Sequence, residues 1–446
     1  MATAKQVSGF CKYLIVTVVT DGPRPLDIEE PGGDRTASRR WVTTSATLLS
    51  STLGNALTVV GTALLVRMLG GEAFGKAALL TTAAITLGTV TSSGICLHIL
   101  RTMAHVVSNI EIRTQVWIGT IVGQAIAGLI TIGLLCMGLF QSGHSLFEYL
   151  LTGLSLHFTT SDALSKNRLI GGQRLLPLAG ATSFGAISTV GLQLLGAWLD
   201  GPQGYILGFA AGTGLQAASS WLACRFSLPA AGGWPRGIFQ RMGDREFLEF
   251  VSLATLSACV VPLAHWLNSL IAAQKMSSYG EVAKLTVAMQ FFNMVIFVPT
   301  ILNKIVLPRT IKDDSTREIY DSQREASRQA RRMILYTAPM LPLIWALSGP
   351  IISIYRFPST DGIAVILCFV GASVLACAAI PLSNHFVSHS KMKSGLVGNL
   401  LWATCYLGLA WVLPGGAISA AASLLCAYAL NLFVVLYLVK ASHHVQ

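Results

Sequence analysis

Apolar runs long enough to cross a bilayer alternate with short polar segments along most of the chain. Ala77 to Leu100, for example, contains no charged residue. As an α-helix it would be about 36 Å long, which exceeds a hydrocarbon core of about 30 Å. The pattern therefore predicts an all-α polytopic membrane protein with about twelve transmembrane helices. They lie near residues 43–66, 77–100, 116–139, 146–165, 175–199, 204–224, 248–273, 281–306, 333–354, 362–386, 394–413 and 416–439.

The fourth predicted helix has a continuous polar face. Its polar residues share one side at helical spacing: Glu148, Thr152, Ser155, Thr159, Asp162 and Lys166. A carboxylate at membrane depth costs about 2.5–3.5 kcal/mol on insertion scales, so it must face water or a partner. The face either lines a hydrated cavity or only marks the two helix ends, with its carboxylates paired to Lys166 or a loop arginine. In the first case, Glu148 and Asp162 are candidates to carry a coupling ion.

The eighth predicted helix repeats this spacing with Thr286, Gln290, Asn293, Thr300 and Lys304. Lys304 lies within an apolar run. It either contacts an anionic substrate or extends its ammonium to the membrane surface. The first predicted helix carries Asn55 and Thr58 on one side, a pattern that suits a cavity wall or close helix packing.

Composition and charge support a membrane protein. Hydrophobic residues make up 53% of the chain and charged residues 11%, whereas a soluble domain carries about 25% charged residues. The net charge of +11 is concentrated in loops on one side of the predicted helices, which is the pattern of cytoplasmic loops rather than of a nucleic-acid site. We predict that both termini are cytoplasmic, that membrane lipids surround the helices, and that no nucleic acid binds.

No motif indicates a metal, a cofactor or catalysis. The nine cysteines form no C-x-x-C pair, the nine histidines show no H-E-x-x-H spacing, and no P-loop is present. Loops on the side opposite the basic ones are short. A membrane-embedded glycan-processing enzyme usually needs a folded loop there to hold its acceptor. We therefore predict no metal, no cofactor and no enzymatic activity.

A repeated turn divides the chain. EAFGKAALL at Glu72–Leu80 is echoed by SSYGEVAKL at Ser277–Leu285, so that Phe74-Gly75 matches Tyr279-Gly280. Related halves are typical of transporters built from repeats. We predict a disordered cytoplasmic tail at 1–40, a six-helix bundle at 41–232 and a pseudo-symmetric six-helix bundle at 233–446. The second bundle includes a cytoplasmic loop at 307–332 that forms an amphipathic surface helix.

The first of these turns also carries a family resemblance. Arg67, Leu69, Gly70, Phe74 and Gly75 form an R-x-L-G-x-x-x-F-G pattern, and a long helix with Gly88, Gly94 and a terminal Arg101 follows it. The chain resembles the Wzx-like polysaccharide flippases of the multidrug/oligosaccharidyl-lipid/polysaccharide exporter superfamily. The resemblance covers roughly residues 40–440, by helix pattern more than by residue identity.

This resemblance implies a function and a site. The chain would flip an undecaprenyl-pyrophosphate-linked oligosaccharide across the bacterial inner (plasma) membrane by alternating access, for assembly of exopolysaccharide, O-antigen or capsule. Helices one, two, seven and eight would line a central cavity, with Gly75 and Gly280 in the moving turns. The implied coupling ion is a proton or sodium. The predicted cavity residues are Asn55, Thr58, Arg67, Arg101, Ser155, Lys284, Gln290, Asn293 and Lys304.

Two other functions remain open at this point. An ion-coupled drug or cation exporter of the same superfamily would share the architecture, but such exporters favour acidic residues within the membrane, whereas the eighth helix offers Lys304 and amides. A membrane-embedded glycan-processing enzyme comes from a different class, and the short outer loops count against it.

Overall fold

The computed structural model describes residues 33–105, 109–140, 144–228, 245–276, 278–314, 319–355, 361–388 and 392–441. Residues Ala46–Gln446 form one compact unit, and every site discussed below belongs to it. The described residues are helical apart from short turns. The helices are α1 (Gly33–Leu69), α2 (Gly71–His105), α3 (Asn109–Phe140), α4 (Leu146–Gly171), α5 (Leu175–Ser227), α6 (Arg245–Met276), α7 (Gly280–Asp314), α8 (Ile319–Thr337), α9 (Met340–Ala346), α10 (Ser348–Tyr355), α11 (Asp361–Ser388), α12 (Met392–Val412) and α13 (Ala417–Ala441).

The predicted all-α membrane fold is confirmed. Within the described residues, eight helices are long and apolar enough to span a membrane, or nine if the bent pair that ends in α10 counts as one span. The long helix α5 counts as one helix in this total, although it consists of two helical segments that meet at a kink. Helices α4 and α7 carry the polar faces noted above and fall below the same hydropathy test. Each of the twelve predicted spans thus has a helical counterpart, arranged as two six-helix bundles, α1–α5 and α6–α13.

Helix α5 is a tight hairpin rather than two helices joined by a loop. Its arms meet at Asp200 and Gly201, which have non-helical dihedral angles, and Gly201 has a positive φ of 55°. A Cβ at Gly196 would overlap the carbonyl oxygen of Gly204, and one at Gly204 would overlap that of Gly196. Glycine at both positions lets the two backbones touch, so the turn holds Asp200 and the start of the second arm in fixed positions.

Helix α2 joins the two bundles. Near its start, a Cβ at Gly75 would overlap the carbonyl oxygen of Tyr279, so the two repeated turns lie against each other. Farther along, Gly94 packs against the backbone of Val251 in α6, and the Cys259 thiol lies 3.6 Å from the Val90 carbonyl oxygen. Helix α2 is therefore packed against the second bundle over most of its length.

The start of the first helix differs from the sequence-based prediction. Helix α1 begins at Gly33, so residues 33–40 are helical rather than part of a disordered tail. Asp34 falls in the first turn, where the helix dipole favours a carboxylate, and no proline follows it. Residues 1–32 lie outside the described part of the chain, and so do residues 229–244, where the first predicted bundle meets the second.

The ninth predicted span, at 333–354, is broken. Helices α8, α9 and α10 replace it, and the axis bends by 66° before α10. Pro339 and Pro342 each remove a backbone donor near the junction of α8 and α9, and Pro350 lacks the donor that would bond to the Ala346 carbonyl oxygen across the bend. Within the predicted loop at 307–332, α8 is amphipathic: Ala326 and Ala330 are buried against α11 and α13, while Arg328 is exposed.

Candidate functional site

Several functional candidates lie on the side of the membrane where α1 ends and α2 begins. We call this end of the molecule the α1–α2 side. It also contains the start of α4, the turn of α5, the start of α7 and the end of α10. The predicted topology would make it the non-cytoplasmic side.

Glu148 belongs to the start of α4. The Ser145 hydroxyl accepts a hydrogen bond from the Glu148 amide at 3.2 Å, and the Glu148 carboxylate accepts one from the Ser145 amide at 3.1 Å. These two bonds form a capping box, which satisfies amides that the helix itself leaves free. The carboxylate also lies 2.9 Å from Nδ1 of His144. Burial lowers the pKa of His144 from its ordinary value, against the raising effect of Glu148.

Asp162 lies in a buried polar network between α4 and α5. Its Oδ2 accepts hydrogen bonds from Lys166 at 2.7 Å and from the Gln216 amide at 2.8 Å. Its Oδ1 accepts one from the Ser220 hydroxyl at 2.6 Å. Asp162 is 8% exposed, so these partners replace water around its charge. The coupling roles predicted for Glu148 and Asp162 stay predictions, because each carboxylate already has structural partners.

The rest of the polar face of α4 is turned into the first bundle. Ser155 is fully buried, and its hydroxyl donates to the Leu151 carbonyl oxygen at 2.8 Å. Thr160 lies 2.6 Å from the Thr91 hydroxyl of α2. In this conformation Ser155 contacts its own helix rather than open space, because the hydroxyl is satisfied locally. Its predicted contact with a substrate remains untested.

Helix α7 carries two amides that have no hydrogen-bond partner among the described residues. Gln290 is half-buried and Asn293 is exposed, and neither forms a hydrogen bond with another described residue. An amide on a membrane-crossing helix is costly in lipid, so this part of α7 requires water or a polar ligand. The described stretch Gln290–Asn293 therefore suits a cavity wall best. In α1, Asn55 is also half-buried, and the Thr58 hydroxyl donates to the Gly54 carbonyl oxygen at 2.9 Å.

The predicted cationic residues fall into two groups. Lys284 is paired with Glu281 at 2.7 Å, and Glu281 in turn accepts a hydrogen bond from the Ala417 amide at the start of α13. Lys284 therefore has a local counter-ion. The side chains of Arg101 and Lys304 lie outside the described part of the chain, although α2 and α7 include both residues.

Arg67 connects the two bundles, an arrangement that the sequence did not indicate. Its Nε donates to the Ile354 carbonyl oxygen at 2.8 Å, and its Nη2 donates to that of Ser353 at 3.2 Å. These carbonyls belong to the last turn of α10, where cations are favoured by the helix dipole. The Tyr355 hydroxyl donates back to the Val59 carbonyl oxygen of α1 at 3.2 Å. We call these three hydrogen bonds the Arg67 latch.

The two repeated turns behave differently. Gly75 is buried against the backbone of Tyr279, so a side chain there would collide with main-chain atoms. A Cβ at Gly280 would meet only the Ser278 hydroxyl, at 3.2 Å. The Ser278 hydroxyl also donates to the Glu72 carboxylate at 2.6 Å. A side chain is therefore sterically excluded at Gly75 but not at Gly280, and a role of either turn in motion stays a prediction.

The second bundle contains a buried polar cluster that sequence reasoning did not assemble. The Asn268 amide donates to the Tyr406 hydroxyl at 2.7 Å, and this hydroxyl lies 3.4 Å from Nδ1 of His265. Trp402 and Phe292 pack around the imidazole ring. Apolar runs conceal such a cluster, because its members come from α6 and α12. Among the described residues, no group of His, Cys, Asp and Glu side chains is arranged to hold a metal ion.

One cavity of about 350 Å³ opens within the first bundle on the α1–α2 side. It lies between the start of α2, the start of α4 and the turn of α5. Its polar lining residues are Lys76, His144, Glu148, Asp200 and Gln203, and its apolar lining residues are Ala73, Ala77, Pro202 and Ile206.

Comparison with known proteins gives one family and a set of structural relatives. Residues 41–310 match the family described as "Polysaccharide biosynthesis protein". No curated protein sequence matches the chain.

Three solved structures illustrate the shared fold. The chain is 13% identical to the "Outward-facing conformation of a multidrug resistance MATE family transporter of the MOP superfamily", with a TM-score of 0.66 over 90% of this chain and 95% of that one. It is 16% identical to "Lipid II flippase MurJ, inward closed conformation", with a TM-score of 0.67 over 90% and 87%. The "Inward-facing conformation" of a MATE family transporter gives 14% identity and a TM-score of 0.63 over 90% and 97%.

Proposed function

We propose, from the premise that the chain belongs to the polysaccharide biosynthesis protein family, that it flips a lipid-linked oligosaccharide across a membrane. Family and fold are those of transporters, so the prediction that the chain is not an enzyme is confirmed. In our proposal the lipid is undecaprenyl pyrophosphate, and the membrane is the bacterial inner membrane. The product would enter exopolysaccharide, O-antigen or capsule assembly on the outer side.

The observation that carries this proposal is the pair of unpartnered amides on α7. A helix that faced only lipid or packed neighbours would not leave Gln290 and Asn293 without hydrogen bonds to other described residues. Amides both donate and accept hydrogen bonds, which suits the hydroxyl groups of a sugar better than it suits a drug cation. This chemistry favours an oligosaccharide over the alternative of a drug or cation exporter.

Transport would follow alternating access. The Arg67 latch closes the α1–α2 side between α1 and α10, while the close contacts of α2 keep the bundles attached. Breaking the latch would let the first bundle rock away from the second and open a path on this side. The topology that follows from the charge pattern makes this the outward-opening step.

Cationic residues would attract the pyrophosphate. Arg101 and Lys304 each bring a positive charge to helices that line the proposed cavity. Arg67 becomes available only when the latch is broken, because both of its hydrogen bonds are otherwise made to α10. A proton or sodium ion would supply the energy. Glu148 and Asp162 are the candidates to carry it, and the Asp162 carboxylate contacts Lys166 and Gln216 within the first bundle.

Complementation of a strain that lacks the gene tests the proposal. Surface polysaccharide should return when the wild-type chain is expressed. The deletion strain should lose surface polysaccharide but keep its resistance to cationic drugs. Lys304→Ala should abolish flipping, Lys304→Arg should retain part of it, and Lys304→Gln should not. Membrane levels of each variant are compared by immunoblot.

Different results would contradict different parts of this proposal. Restored drug resistance without any change in surface polysaccharide would replace the proposal with the exporter alternative. Full activity of Lys304→Ala would leave the flippase proposal standing but would remove Lys304 from the substrate site. Single cysteines introduced at Gly201 and Ser322 test the topology by their labelling from outside the cell. Outside labelling at Ser322 would show that the orientation is the reverse of the predicted one.

A further inference from the structure

The cavity of about 350 Å³ in the first bundle lies apart from the proposed transport path between the bundles. Its volume falls at the lower end of the range of about 300–1,000 Å³ that is typical of small-molecule sites. Rigid elements fix two of its walls: the capping box orients Glu148 and His144, and the glycine-packed turn of α5 fixes Asp200. The cavity is therefore formed before any ligand arrives.

Several of its polar groups have no hydrogen-bond or ion-pair partner among the described residues. Lys76, Asp200 and Gln203 form no hydrogen bond or ion pair with another described residue, and Asp200 and Gln203 are exposed. Lys76 brings three donors, Asp200 brings acceptors, and Gln203 brings both. Ala77, Pro202 and Ile206 add an apolar floor beneath them.

The lining carries charges of both signs, which disfavours a simple ion as the ligand. The ammonium of Lys76 lines the same space as the carboxylates and repels a metal cation. The carboxylates of Glu148 and Asp200 outnumber that single ammonium and repel an anion such as phosphate or a uronate. Burial lowers the pKa of His144, which disfavours a further positive charge in the lining. An uncharged ligand that is rich in hydroxyl groups and apolar on one face can contact both the ammonium and the carboxylates.

We propose that this cavity binds a neutral sugar ring, with its hydroxyl groups on Lys76, Asp200 and Gln203 and its C–H face on Pro202 and Ile206. The inference rests on the proposed function, since it places sugar units of the flipped oligosaccharide on the first bundle at the α1–α2 side. There the glycan would be held while its lipid anchor leaves the central path.

Binding is tested with the full-length chain in lipid nanodiscs. Saturation-transfer difference NMR is recorded with the methyl glycosides of glucose, galactose and N-acetylglucosamine, and with sodium glucuronate and inorganic phosphate. Asp200→Asn and Gln203→Ala remove pocket contacts. Asp361→Asn is the matched control, because it makes the same change at an exposed carboxylate outside the cavity.

We expect at least one neutral glycoside to bind the wild-type chain, and its Kd to rise about tenfold or more in Asp200→Asn, since a lost hydrogen bond to a charged group has an effect of this order. Gln203→Ala should also weaken binding, and Asp361→Asn should not. The inference is overturned if no neutral glycoside binds, if the pocket variants bind as the wild type does, or if glucuronate or phosphate binds more tightly.

The two proposals fail separately. Restored surface polysaccharide without glycoside binding removes only the sugar site. Glycoside binding that depends on Asp200, together with normal surface polysaccharide in the deletion strain, removes only the flippase proposal.

Discussion

Removal of the Arg67 latch should shift the protein towards a conformation that is open on the α1–α2 side. In Arg67→Ala, the carbonyl oxygens of Ser353 and Ile354 lose the guanidinium donors, and α1 keeps only the Tyr355 hydrogen bond with the end of α10. Tyr355→Phe removes the remaining hydrogen bond, to Val59, without changing the ring. The two changes leave the packing of α2 against α6 and α7 intact.

The magnitude follows from the exposure of the latch. A buried hydrogen bond to a charged group contributes about 1.5–3 kcal/mol, but Arg67 is exposed and water competes for the same carbonyls. We therefore expect Arg67→Ala to destabilise the closed state by about 1–2 kcal/mol in total. This changes the ratio of closed to open molecules by a factor of roughly 5–30. Arg67→Lys should have a smaller effect, because an ammonium keeps the charge but lacks the planar fork.

Double electron–electron resonance measures this shift. Spin labels at Met68 and Val412, which are 44% and 76% exposed at the ends of α1 and α12, report the separation of the bundles on the α1–α2 side. The longer-distance population should grow in Arg67→Ala and less in Arg67→Lys. Arg324→Ala, which removes an exposed arginine of α8, serves as the control. Unchanged distance distributions in both Arg67→Ala and Tyr355→Phe would refute the latch.

Three further predictions concern single contacts. Gly75→Val should abolish transport and lower the melting temperature, whereas Gly280→Ala should be tolerated, because only the first collides with backbone. Asp162→Asn, at a buried ion pair, should lower the free energy of unfolding by about 3–5 kcal/mol. Glu325→Gln, at an exposed pair, should lower it by at most about 1 kcal/mol. If thermal unfolding shows similar losses of stability for the two variants, burial does not decide the strength of these pairs. The pKa of His144 is lowered on folding. The free energy of unfolding should therefore fall as the pH drops below the unfolded pKa of about 6.5, until the folded pKa is passed. His144→Gln should reduce the loss of stability measured between pH 8 and pH 5.5.

The helices were predictable because their signal is local. An uncharged run such as Ala77–Leu100 must be helical in a bilayer, whatever its neighbours are. The repeated turns at Gly75 and Tyr279 were visible as similar strings of residues. Proline also gave a local signal that the helix assignment overlooked: Pro339 and Pro342 lie inside the span predicted at 333–354, where the structure has three short segments.

The candidate site was predictable only in part, because its partners are distant in sequence. Asp162 was identified from its helical face, but its contacts with Gln216 and Ser220 span 54 and 58 residues. Arg67 was assigned to a cavity by resemblance, yet it binds carbonyls 286 and 287 residues away. Carbonyl acceptors carry no side-chain signal, so no spacing rule could have named them. Only the packing of α1 against α10 brings them together.

The distribution of polar contacts indicates how the bundles would move. Inside the first bundle, Asp162 is buried, and separating α4 from α5 would remove its hydrogen bonds from Gln216 and Ser220 and leave the carboxylate with Lys166 alone in an apolar environment. Between the bundles, Arg67 is exposed, and water can replace its two hydrogen bonds to α10 as they break. Motion should therefore occur between the bundles rather than within them. Because Gly75 and Gly94 bring α2 into backbone contact with the second bundle, we expect the axis of that motion to run along α2, with α1 and α10 separating most.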